Sequence, residues 1–104
     1  MQHVTVKPDV EFRVIAGSRR SQAAIMVLEA GESTGSTDNM HLESDQWLYV
    51  LGGSGTAIVE GFELKLVRGE LILIEAGEVH EIFAGKDENL ETLNIYAPPE
   101  YPLE

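Results

Sequence analysis

An antiparallel all-β domain is what the sequence predicts, on three observations. Apolar residues recur at a period near two rather than 3.6. Glycine stands in nearly every gap between the apolar runs. The runs return at the close spacing of short strands joined by tight turns, the pattern of a sandwich or barrel.

The elements follow in order. Val4, Val6, Val10, Phe12, Val14 and Ala16 alternate, with Pro8 interrupting, and predict N-terminal strands over 3–16. Ile25 and Val27 mark a further strand, and Ala30 to Asp38, rich in Gly, Ser and Thr, reads as a loop. Trp47 to Leu51 is apolar throughout and runs into Gly52-Gly53-Ser54-Gly55. No helical pattern follows those glycines, so they read as a turn rather than a phosphate cradle or nucleophile elbow. If the strand alternates after an inward Gln46, Leu48 and Val50 face inward, and Trp47, Tyr49 and Leu51 take the other surface. Trp47, Tyr49 and Phe83 are expected in the core, as strand aromatics usually are. Glu60-Gly61 is a hairpin turn between Ala57-Ile58-Val59 and the alternating Phe62 to Val67. Leu71-Ile72-Leu73-Ile74 is continuous and expected to be buried on both faces. Val79 to Phe83 and Leu93 to Tyr96 close the regular part. Pro98, Pro99 and Pro102 cannot donate to a ladder and leave an extended tail over 98–104. The 104 residues suffice for one domain, with a barrel core over about 22–97.

Composition narrows the function. Without cysteine there is no disulfide framework, thiolate metal site or cysteine nucleophile. A net charge of −11 repels phosphate backbones and anionic lipid, so nucleic acid and membranes are not expected partners. No apolar run approaches the roughly 20 residues of a membrane span. The start, Met1 to Lys7, lacks a basic region followed by an apolar one, which makes a cytoplasmic location the default expectation.

Two of the three histidines carry chemistry. His41 and Glu43, two apart, share a face of an extended segment, and His80 opens a later strand. Two imidazoles and a carboxylate brought together suit a divalent first-row cation with open positions, and Gln46 can add a neutral amide oxygen. His3, near the terminus, is assigned no role.

These residues fall in a recognisable frame. Gly35, five residues, His41-Leu42-Glu43, Gln46, six residues and Gly53 resemble the first motif of the cupin superfamily. Gly69, five residues, Glu75-Ala76-Gly77, two residues and His80 resemble the second, and Asn94 to Pro99 is similar to a common cupin ending. The resemblance implies a single small cupin domain, an antiparallel double-stranded β-helix or jelly-roll barrel. It implies metal ligands at His41, Glu43 (where a second His is usual), Gln46 (where Glu is usual) and His80, for iron, manganese, zinc, nickel or cobalt. Asp45 would take the place of Gln46 if the strand slipped by one residue. Met26, Leu48, Val50 and Ile82 are expected to line the pocket. The implied activities are a dioxygenase- or isomerase-type metalloenzyme acting on a small molecule, with epimerases and decarboxylases also in the superfamily. The alternative is a non-catalytic module that binds or senses a small ligand without a tight metal. A homodimer, formed through the N-terminal strands, is the expected assembly.

Overall fold

The computed structural model describes residues 1–35 and 40–102. It contains seven strands: β1 (Phe12–Gly17), β2 (Gln22–Leu28), β3 (Asp45–Val59), β4 (Phe62–Val67), β5 (Leu71–Ile74), β6 (His80–Ala84) and β7 (Leu90–Ala97). All strand pairs are antiparallel, and there is no helix among the described residues. The loop predicted for Ala30 to Asp38 runs into residues 36–39, which lie outside the described residues.

β3 organises the barrel. Its first half pairs with β7 and β5, in a sheet that β2 and β1 extend. Its second half pairs with β4 and β6 in the facing sheet. The crossing from one sheet to the other happens at the glycines read as a turn. That expectation is corrected: Gly52 to Gly55 lie inside β3, with a bulge between Val50 and Gly52 and Gly53 at φ 75°. Glycine is needed there for close approach. A Cβ on Gly53 would run into the Asn89 carbonyl, and one on Gly55 into the Phe83 carbonyl. The Glu60-Gly61 turn is as expected, both residues having positive φ between Val59 and its partner Phe62.

Register gives the barrel two unlike ends. At one end Leu28 pairs with Leu90, and the two join Val50, Leu48, Ala57, Leu66, Ile74, Ile82 and Ala84 in the apolar core. At the other end Gln22, Tyr96 and Gln46 are level, and the inner face turns polar.

Two burial expectations are corrected. Leu71 is 55% and Leu73 39% exposed, because β5 pairs only with β3 and its outer face is uncovered. Trp47 and Tyr49, paired with those two leucines, also face outward rather than into the core. The alternation behind Gln46, Leu48 and Val50 inward is as predicted. Residues 3–10, read as strand, lie outside any strand: among the described residues no sheet edge pairs with them. The chain start is tied down instead by the Gln2 side chain, which exchanges two hydrogen bonds with the Gly17 backbone.

Candidate functional site

The polar end holds a cavity of about 340 Å³, lined by His41, His80, Gln46, Tyr96, Met26 and Ile82, with Thr34, Met40, Glu100 and Tyr101 toward the chain segments outside the sheets. Backbone hydrogen bonds bring the two histidines together across 39 positions of sequence. The Glu75–Glu78 turn closes with Gly77 at φ 85°, and the Gly77 amide donates to the His41 carbonyl at 2.8 Å. The Ala76 amide donates to the Asp45 carboxylate at 3.0 Å, so the turn leading to His80 is fastened to both ends of the His41–Asp45 segment. The rings end 5.2 Å apart, and the Tyr96 ring meets His41 edge-on at 5.3 Å.

A relay orients the polar groups. The Thr92 hydroxyl donates to the Met26 carbonyl (2.8 Å), so its oxygen accepts from Asn94 Nδ2 (2.9 Å). Asn94 Oδ1 then accepts from Gln46 Nε2 (2.9 Å). This leaves Gln46 Oε1 turned to His41, 3.1 Å from its Nε2. On the other side of that ring, Nδ1 lies 3.3 Å from the Glu100 carboxylate. A neutral imidazole has one proton, and the carboxylate is the stronger acceptor. With the proton on Nδ1, Nε2 presents a lone pair; with it on Nε2, that nitrogen donates to Gln46 Oε1. His80 reaches the first of these states differently: its Nδ1 donates to the Glu78 carbonyl at 3.0 Å, leaving Nε2 as an acceptor.

Burial pushes the His80 imidazole below its ordinary value, and the bond to the Glu78 carbonyl only partly offsets this. Nearby His41 acts in the same direction as burial. Burial, helped by Tyr101 and Glu100, raises the Tyr96 phenol far above its ordinary range, so it stays a proton donor. For His80 the folded state binds fewer protons than the unfolded chain, so stability rises with pH across that window. The contribution is complete above the ordinary value of 6.5 and is lost as pH falls below it through the lowered folded value. Metal-free protein should lose urea resistance between about pH 7.5 and about pH 5.5, and His80→Gln should lose less. Equal losses would contradict this origin.

The predicted site residues divide. His41, Gln46 and His80 come together, and Met26 and Ile82 line the same cavity. Leu48 and Val50 belong to the apolar core at the filled end of the barrel and are not among the lining residues. Glu43 is exposed, in a surface depression with Arg19, Leu42 and Pro99. His41 and Glu43 precede β3, and the segment does not keep the strand alternation that would put both on one face. Asp45 caps the turn, so the strand is not slipped and Gln46, 3% exposed, is the inward residue. Among the described residues no three His, Asp or Glu side chains gather into a group able to hold a metal ion. The donor set is two imidazoles and an amide.

A family model for the cupin domain matches residues 24–96, well over half of the chain. The chain is a cupin. Among solved structures it is similar to BH2720 from Bacillus halodurans, at 28% identity and a TM-score of 0.83, over 88% of this chain and 73% of that one. KdgF from a Halomonas species matches at 20% identity and 0.78, over 92% and 84%. A conserved Klebsiella pneumoniae protein with a double-stranded β-helix domain matches at 17% and 0.79, over 93% and 91%. The last two likenesses show the fold alone. No curated protein matches the sequence significantly.

In this cupin, sequence reasoning missed Tyr96, Asn94, Glu100 and Tyr101 as parts of the site. Thr92, Asn94 and Tyr96 alternate at period two, a legible signal for three polar groups on one inner face. Glu100 and Tyr101 lie beyond the matched family region and in a segment that carries no periodicity.

Proposed function

We propose that this cupin holds a divalent first-row cation with His41 Nε2, His80 Nε2 and Gln46 Oε1, and with it binds a small polar molecule in the cavity. One observation carries the reading. The Nε2 of His41 and the Oε1 of Gln46 face each other at 3.1 Å, each with its other polar atom already engaged. Two lone pairs at that distance repel unless a proton or a cation lies with them. Donors that share one ion through bonds of roughly 2.1 Å adopt such a separation. The arrangement of second partners is also that of metal-binding histidines, whose other ring nitrogen donates to a carboxylate or backbone carbonyl. The donors fit iron(II), zinc, nickel or cobalt through the imidazoles, and manganese through the oxygen.

The bound ion would supply Lewis-acid polarisation of a substrate oxygen. The chain's own residues do the rest. Met26 and Ile82 give one wall an apolar surface, and Tyr96 keeps a neutral phenol at the cavity, its hydroxyl paired with Tyr101. A dioxygenase- or isomerase-type activity fits these parts. The second reading, a binding or sensor module without a tight metal, is favoured by the neutral donor set, since Glu43 lies elsewhere.

Elemental analysis of untagged protein, wild type beside His80→Ala, tests the choice. The expected result is close to one equivalent of a transition metal in the wild type and near none in the variant. A wild type without metal, and with no thermal shift on adding iron(II), manganese, nickel or zinc, would leave the binding-module reading in its place. We also propose a homodimer, supported by the uncovered outer face of Trp47, Tyr49, Leu71 and Leu73, an apolar surface that soluble monomers seldom expose. Light scattering should return twice the monomer mass.

A further inference from the structure

The motif-one acid, Glu43, lies apart from the cavity, yet a carboxylate stands beside it: Glu100, from the C-terminal tail. The tail is fastened down. The Gln22 side chain, 1% exposed, accepts from the Glu100 and Tyr101 amides at 3.2 and 3.0 Å and donates to the Tyr101 carbonyl at 2.9 Å. The Ser44 hydroxyl donates to the Pro98 carbonyl at 2.7 Å. The Tyr101 ring packs on Phe12 and Tyr96 at 4.8 and 5.2 Å. The backbone of Glu100 is thus held at the cavity mouth by a buried amide, and its carboxylate reaches His41 Nδ1 at 3.3 Å.

We propose that Glu100 is a positioning residue. By taking the Nδ1 proton it holds His41 in the form whose Nε2 lone pair is turned to the cavity, against the competing pull of Gln46 Oε1. Both oxygens face the same ring from opposite sides, and only one can have the proton of a neutral imidazole. Without the carboxylate, Gln46 Oε1 is the acceptor left on the ring among the described residues, and the proton moves to Nε2, closing the donor. The partly exposed pair adds little to stability, so its effect lies in the ring it orients. The consequence for cation affinity rests on the reading of the preceding subsection; the consequence for the His41 proton does not.

The test uses full-length protein with nitrogen-15 in its histidines, stripped of metal and held at mildly alkaline pH, where imidazoles are neutral. Long-range proton–nitrogen correlation should show His41 protonated at Nδ1 in the wild type and at Nε2 in Glu100→Ala. Glu100→Gln leaves two amide oxygens of equal strength on the ring and should give a mixture of the two forms. Cobalt titration should then show affinity lowered about 10- to 100-fold in Glu100→Ala, the usual effect of losing such a partner. An Nδ1 proton that persists in Glu100→Ala overturns the proposal. So does an equal change in both variants accompanied by lost thermal stability, which would mean that the tail has only come away. If the wild type takes up no cobalt, the cation reading fails, while the ring signals still decide the role of Glu100.

Discussion

Gly53→Ala should destabilise the protein by roughly 3 kcal/mol or more. Two effects add. Gly53 has φ 75°, where an L-residue is strained by about 1–2 kcal/mol. Its new Cβ would also run into the carbonyl of Asn89, and overpacking of this kind costs about 1–3 kcal/mol. Backbone, not a flexible side chain, is the obstacle, so relaxation must move the β6–β7 connection. Gly61→Ala is the matched comparison. It has nearly the same dihedral, φ 81°, but open space around the added carbon, and should lose only the first part. Urea unfolding of the two variants checks this, and equal losses would show that the close approach is unimportant.

Gln46→Glu should change sign with conditions, and by a large amount. In metal-free protein it places a carboxylate at a position 3% exposed, with one oxygen against Asn94 Oδ1. Turning Asn94 over does not help, because its oxygen would then face Thr92, whose proton is committed to the Met26 carbonyl. The loss should be about 3 kcal/mol, the scale of a buried polar group with a mismatched partner. With a cation present, the same substitution supplies the anionic donor that the wild type lacks. Affinity should rise at least about tenfold, and ligand linkage should convert this into a larger thermal shift than the wild type shows. Melting curves in chelator and in excess manganese or cobalt measure both halves. A variant as stable as wild type in chelator would contradict the relay, and a variant indifferent to cations would contradict the proposed site.

Period and punctuation were enough to read the all-β class, the Glu60-Gly61 hairpin and the inward set Gln46, Leu48 and Val50. Both histidines were legible too, because glycines at fixed offsets frame them. What was not legible depends on tertiary circumstances. Gly52 to Gly55 look like a reversal by composition, and only the nearness of Asn89 and Phe83 shows that they let one strand serve two sheets. Leu71 and Leu73 look buried because they are apolar, yet burial depends on what covers a sheet face, and here none of the described residues does. Glu43 was placed with His41 by strand alternation, but β3 starts only at Asp45, so the rule did not apply to it. Glu100 lies 59 positions from His41 in a segment without periodicity; its place is set by the side chains of Gln22 and Ser44 and by the packing of Tyr101.

The double membership of β3 bears on how a guest gets in and out. Neither sheet can open by itself, because peeling β5 or β7 from the first half of β3 pulls on the strand that carries β4 and β6 in its second half. Amides of β3 should therefore be among the last to exchange with deuterium, at a rate set by global unfolding rather than by local breathing. Gln46 belongs to that slow core. Traffic into the cavity then has to use walls outside the sheets, and among the described residues one of these is the tail pinned by side-chain hydrogen bonds. Residence time in such a container would be set in part by how often those few bonds give way, with the barrel rigid throughout.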